Sequence, residues 1–204
     1  FHVDSIVSEG EVVFAECHGY KRPLFDIVNS GGIFGTRTLP RGSEIERSLL
    51  ETHGRVVHHL GLKRGVTHTE YIRSKDDGEI YFLETAARVG GVHISDLVEA
   101  STGINLWREW AKIELSQGET PYVLPAHRSG YAGLIVSLAK QESPDMSAYN
   151  DPEVVWHLKG NAYHAGLIFR ADTPERLEER MDHYMDRISN DFATVLPPST
   201  TATY

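Results

Sequence analysis

One cysteine, Cys17, stands alone among 204 residues, so this sequence can build neither a disulfide framework nor a multi-thiolate zinc site. A lone thiol suits a reducing compartment, and a cytoplasmic location is expected. Long apolar runs are missing too. No stretch approaches the roughly 18 residues of a membrane span and no secretory leader is recognisable, so no membrane partner is expected. Basic charge is scarce: 20 Lys and Arg against 29 Asp and Glu leave a formal charge of −9. That balance argues against unaided binding to a nucleic acid backbone, and it leaves few cations for phosphates of any kind. The chain opens in mid-pattern at Phe1-His2-Val3-Asp4, as expected of a piece of a longer protein.

What is present is ordinary in bulk. The 40% apolar and 24% charged fractions are globular, and the length fits one large domain or one domain with a small appendage. Residues 2–7 and 11–17 read as strands around the hairpin signal Ser8-Glu9-Gly10. A polar loop is expected over 19–32, then a short strand at 33–39 closed by Pro40. Ser43, with Glu46 three residues on, predicts a capped helix that ends at Gly61. Its apolar stripe would be Ile45, Leu49, Thr52, Val56 and Leu60. Strands at about 65–73 and 79–85 flank Lys75-Asp76-Asp77-Gly78, and helices follow near 93–101 and 104–117. Beyond Pro121 and Pro125 come strands near 130–138, 153–158 and 163–171. Thr173 and Pro174 then open a helix with Leu177, Met181, Tyr184, Ile188 and Phe192 on one face, ended by Pro197-Pro198. This order predicts an α+β fold: an antiparallel β-sheet flanked by helices, with a small α+β C-terminal subdomain. The expected divisions are 1–120, 121–198 and a disordered tail at 199–204.

The most informative feature is His68-Thr69-Glu70-Tyr71 facing Phe82-Leu83-Glu84-Thr85. Opposed residues in an antiparallel hairpin share a constant index sum, so a turn centred on Asp77 pairs Glu70 with Glu84. Val66, Ile72, Ile80 and Phe82 fall on the same face, which predicts an apolar setting for the pair. Like charges directly opposite are destabilising, and burial makes this worse. A shared proton, a cationic side chain or a hard divalent ion must compensate; Mg²⁺ commonly takes one or two carboxylates together with substrate phosphates. Glutamates at a solvated sheet edge are the plain alternative. Arg88 follows in a loop that contains Gly90-Gly91 and runs into a helix start, which adds a guanidinium and free backbone N–H groups for an anion.

These segments, Glu70 in VTHTEY, then GEIYFLETAARVGG, then DLVEASTGINLWREWAKIELSQG, resemble the C-terminal half of the ATP-grasp superfamily. More narrowly they resemble its carboxylate–amine ligases, including amino-acid and dipeptide ligases, with biotin carboxylase a more distant relative. The likeness covers about residues 1–118, and YAGLIVSLAK with HAGLIFRADTPERLEERM resembles the C-terminal subdomain of such ligases. The resemblance implies ATP and Mg²⁺ as cofactors, with Mn²⁺ as a substitute ion, and Glu70 and Glu84 as the metal-holding carboxylates. It implies that Arg88 is the catalytic arginine at the transferring phosphate, and that His2 and Asp4 lie near the nucleotide. A small-molecule carboxylate and an amine would be the substrates, with a homodimer as the candidate assembly. The implied reaction forms an acyl phosphate and ADP, and an amine then displaces phosphate. Two departures stand out. Ala86 occupies a position where the family often has a ligating Asn, and the preceding lobe with its lysines and glycine-rich phosphate loop is not among these residues.

His68, on the face of Glu70, joins Arg37, Gly90, Gly91 and His93 as candidates for contact with substrate. Lys21, Arg22 and Arg37 are the best basic residues for a substrate carboxylate, although as exposed loop cations they read first as solvated. His58-His59 point apart on a helix, and the H-x-E at His68 lacks the P-C-x-x-C of a zinc deaminase. Two other readings stay open. One is a non-catalytic scaffold or oligomerisation module on the same fold; the other is a nucleotide-independent divalent-metal hydrolase or isomerase using His68, Glu70 and Glu84.

Overall fold

Glu9 and Gly10 both take left-handed backbone, with φ of 55° and 86°, and this two-residue turn folds β1 (His2–Ser8) onto β2 (Glu11–Tyr20). The computed structural model describes residues 1–23 and 32–194, so the expected tail at 199–204 and the middle of the 19–32 loop lie outside it. β3 (Phe34–Thr38), α1 (Glu44–Leu60), β4 (Gly65–Arg73) and β5 (Ile80–Ala86) follow. Then come α2 (Ile94–Thr102), α3 (Leu106–Leu115), β6 (Tyr131–Leu138), β7 (Val154–His157), β8 (His164–Ala171) and α4 (Pro174–Asp191). All eight strands form one antiparallel sheet in the order β5-β4-β1-β2-β3-β6-β8-β7. The expected antiparallel sheet flanked by helices is present, and the strands after residue 130 extend that same sheet through the β3–β6 pairing.

Strand alternation divides the core into two layers. Val3, Cys17 and Leu39 lie on one face against Leu49 of α1, and Ile135, Leu167 and Phe169 continue that face against Leu177, Met181 and Tyr184 of α4. Ile6, Phe14, Val66, Leu134 and Ile168 lie on the other face, where Leu97 and Val98 of α2 and Leu106 and Ile113 of α3 cover them. Burying one such aliphatic side chain stabilises the fold by about 1.5–3 kcal/mol, which is why these faces dictate the strand register. Among the described residues no helix is long and apolar enough to cross a membrane.

Helix α1 corrects the expected stripe. Ser43 Oγ accepts from the Glu46 N–H, and Gly61 closes the helix at φ 69°, so both predicted ends hold. The buried residues, however, are Glu46, Leu49, His53 and Val57, while Leu60 is 61% exposed. The helix is rolled because two polar residues have partners inside. His53 reaches Ser5 Oγ and Tyr71 Oη at 2.9 and 2.8 Å, and Glu46 receives Arg41. Hydrophobic periodicity does not register polar side chains that are satisfied in the core.

Candidate metal and nucleotide site

The face covered by α2 and α3 carries a polar row at its other end. Pairing register places Glu84, Glu70, His2, His18 and Thr38 side by side across β5, β4, β1, β2 and β3. Glu70 and Glu84 are direct cross-strand partners, as the hairpin arithmetic predicts. A bulge follows at once, so that Tyr71 opposes Phe82 and Arg73 opposes Ile80. This overturns the expected apolar setting in part: Val66 is buried in the core and Ile80 half-buried, but Ile72 is 51% exposed and Phe82 45% exposed, and β5 is an open edge strand. The bulge shifts the pairing by one residue beyond Glu70, which no side-chain pattern in the hairpin announces.

The two carboxylates are held differently. Glu70 is half-buried, its Oε1 accepts the Tyr20 hydroxyl proton, and His68 Nε2 stands 3.8 Å from the same oxygen, an ion-pair distance. The imidazole beside it and the Tyr20 hydrogen bond together outweigh burial and bring the Glu70 carboxyl down to about 2. Burial and the carboxylate push the Tyr20 phenol upward, so it stays a donor. Glu84 is exposed and has no hydrogen bond or ion pair among the described residues. The sequence reading missed Tyr20 because it ended β2 at residue 17. Extending the alternation of Glu16 and His18 by one step would have placed it on the site face.

Beneath this pair, Asp4 gathers three imidazoles. His2 Nδ1 lies 2.7 Å and His18 Nδ1 3.2 Å from Oδ2, and His68 Nδ1 lies 2.8 Å from Oδ1. Burial would raise the Asp4 carboxyl, but the three rings outweigh it and hold the group well below the usual carboxylate range. Burial lowers His2 to about 4. It pulls at His68 as well, yet Asp4 and Glu70 prevail and raise that ring to about 9. His2, within the row, and Asp4, two residues along β1, are both fully buried, and the less buried His68 contacts Asp4.

The loop after β5 closes over the Asp4–His68 pair. A Cβ on Gly90 would lie 2.9 Å from His68 Nδ1 and 3.0 Å from Asp4 Oδ1, so only glycine lets the backbone approach. Gly91 faces open space. Arg88 is exposed, with one guanidinium N–H donating to Val89 O at 2.9 Å. Val92 and His93 are both left-handed, at φ 49° and 63°. His93 engages Asp96 at 3.0 Å and its ring lies 4.6 Å from that of Trp156, tilted by 46°. Arg37 is tied to Glu178 of α4 and to Gly19 O, and Lys21 pairs with Glu178 and Asp182, so neither is a solvated loop cation. Arg22 lines an open pocket of about 430 Å³ with Phe1, Tyr20, Glu70, Tyr71 and Leu83. Glu70 at this pocket, with the exposed Glu84 opposite it on β5, offers the carboxylate oxygens that a hard divalent cation takes.

No protein-family model matches the chain. Its structure superposes on that of an L-amino acid ligase from Bacillus licheniformis with a TM-score of 0.67 at 18% identity, covering 97% of this chain and 51% of the other. It superposes equally on a carboxyaminoimidazole ribonucleotide synthase of Aspergillus clavatus solved with ATP, at a TM-score of 0.65 and 15% identity, covering 93% of this chain and 50% of that one. The chain therefore has the ATP-grasp fold. Within that fold it is distantly similar to L-amino acid ligases: it is 28% identical over 135 residues to the L-arginine-specific L-amino acid ligase of Bacillus subtilis, over 66% of this chain and 32% of that protein. The chain spans about a third of that curated relative and about half of each solved one.

Proposed function

We propose that this chain supplies the metal floor and acyl-transfer loop of an ATP-dependent carboxylate–amine ligase acting on amino acids. The observation that carries this reading is the Glu70–Glu84 pair on an open face, next to the loop from Arg88 to Gly91. Mg²⁺·ATP, when bound, provides the phosphoryl group that activates the substrate carboxylate for attack by the amine. The chain's own residues then have distinct tasks. Glu70 and Glu84 hold the ion, with Tyr20 fixing the orientation of Glu70. Arg88 has a reachable guanidinium that neutralises charge on the transferring phosphoryl group. Gly90 and Gly91 bring backbone close to the reacting atoms, and His68 backs Glu70 from below. No side-chain nucleophile is required, since catalysis of this kind is positioning and electrostatics. A reducing cytoplasmic setting is consistent with the single buried thiol of Cys17.

The test is ADP and phosphate release by the full-length protein with amino-acid pairs. Glu84→Ala should abolish it, and near-normal turnover would refute the assignment. A scaffold role leaves that variant without consequence in a protein that releases no ADP at all. The nucleotide-independent hydrolase reading keeps one supporting observation, the 3.8 Å approach of His68 Nε2 to Glu70. Metal-dependent turnover with no ATP present would favour it.

A further inference from the structure

A second group of metal-ligating side chains lies beside the carboxylate pair. His2, Asp4 and His18 each offer a ligand atom within 4.8 Å of the others, and all three are fully buried. Both Nδ1 atoms face the same oxygen, Asp4 Oδ2, at 2.7 and 3.2 Å. Neither ring nitrogen of His18 has a hydrogen-bond partner, although buried polar atoms are nearly always paired. His2 Nε2 contacts Thr36 Oγ1 at 2.8 Å, and because either atom can donate there, His2 Nδ1 can present either a proton or a lone pair toward Asp4 Oδ2.

We infer that His2, Asp4 and His18 bind one divalent first-row transition ion, with Zn²⁺ as the probe. Two imidazoles and a carboxylate suit a borderline-soft ion, whereas the all-oxygen pair Glu70 and Glu84 suits Mg²⁺, so the two sites are chemically distinct. The surroundings match the outer partners that orient ligands in such sites. With Nδ1 on an ion, His2 would pass its Nε2–H to Thr36 Oγ1, 2.8 Å away, and Asp4 Oδ1 is held by His68 Nδ1 at 2.8 Å. His18 is the adaptable member. Its ring stacks 4.6 Å from His2 with planes 16° apart, and its one polar contact is the 3.2 Å approach of Nδ1 to Asp4 Oδ2, itself a member of the group. An ion here would join β1 to β2 and, through His68, stiffen the support of Glu70.

The whole chain, freed of any affinity tag and purified without chelator, is assayed for bound metal by mass spectrometry. After chelator treatment it is titrated with Zn²⁺ alone, and with Co²⁺ to read nitrogen ligation from the visible d–d band. The expected result is one equivalent per chain, a higher Tm with Zn²⁺, retention of binding in Glu84→Ala and its loss in His18→Ala. Should His18→Ala fail to fold, Thr36→Val replaces it and weakens Zn²⁺ binding by about 10–100-fold. Absence of stoichiometric uptake, or uptake undiminished in the folded variant, overturns the inference. Because Glu84→Ala separates the two sites, either can fail without the other.

Discussion

Glu70 and Glu84 face each other directly across β4 and β5, yet among the described residues Glu70 is held by the Tyr20 hydroxyl and His68 while Glu84 has no such partner. In the proposed site Glu70 would thus be a fixed ligand and Glu84 one that could move onto an ion. Removing the hydroxyl alone should loosen the fixed member. Tyr20→Phe is expected to raise the Mg²⁺ concentration needed for half-maximal ADP release by about 10–100-fold, with little change in rate at saturating Mg²⁺. An unchanged Mg²⁺ requirement would show that Glu70 needs no such support.

Gly90 and Gly91 are adjacent in sequence and opposite in tolerance. A Cβ on Gly90 meets His68 and Asp4, while one on Gly91 meets nothing within 4 Å. Gly90→Ala should destabilise by about 1–3 kcal/mol, seen in chemical denaturation, and Gly91→Ala should be close to neutral. Equal effects would mean that the loop does not pack on the Asp4–His68 pair.

His53 gives the fold a signed pH dependence. Burial lowers its pKa to about 4, below the roughly 6.5 of an unfolded chain. Between those values the unfolded state binds the proton and the folded state refuses it, so stability is full above about pH 6.5 and falls as pH drops toward 4. His2 acts in the same direction. His53→Gln should therefore flatten, though not remove, the decline in Tm between pH 7 and pH 4.5. A decline as steep as that of the parent would place the titration elsewhere.

Arg37 bridges β3 to α4 through Glu178, and only 20% of its side chain is exposed. Arg37→Ala should cost about 1 kcal/mol and lower Tm, leaving the KM for the carboxylate substrate unchanged. A raised KM at an unchanged Tm would restore Arg37 to the substrate site.

The parts of this account legible in sequence were those set by local periodicity and by turn chemistry. Asp77 and Gly78 fix the β4–β5 turn, so the Glu70–Glu84 register could be counted, and Thr173-Pro174 with the stripe from Leu177 to Ile188 placed α4. What escaped was long-range. The bulge after Glu70 exposes Ile72 and Phe82, and Tyr20 reaches Glu70 across fifty residues. His53 lies inside because Ser5 and Tyr71 receive it, and His18 joins Asp4 only through the β1–β2 register. Such partnerships between polar side chains leave no periodic trace, since the groups that satisfy them are far apart in the chain.

The central claim is that Glu70 and Glu84 together hold the divalent ion that accompanies ATP. Anomalous diffraction from crystals of the full-length protein with Mn²⁺ and a non-hydrolysable ATP analogue tests it directly. A manganese peak bonded to one oxygen of each carboxylate, at roughly the 2.0–2.2 Å of a small hard ion, is the expected result. A nucleotide-bound ion with Glu70 and Glu84 both unligated would contradict it.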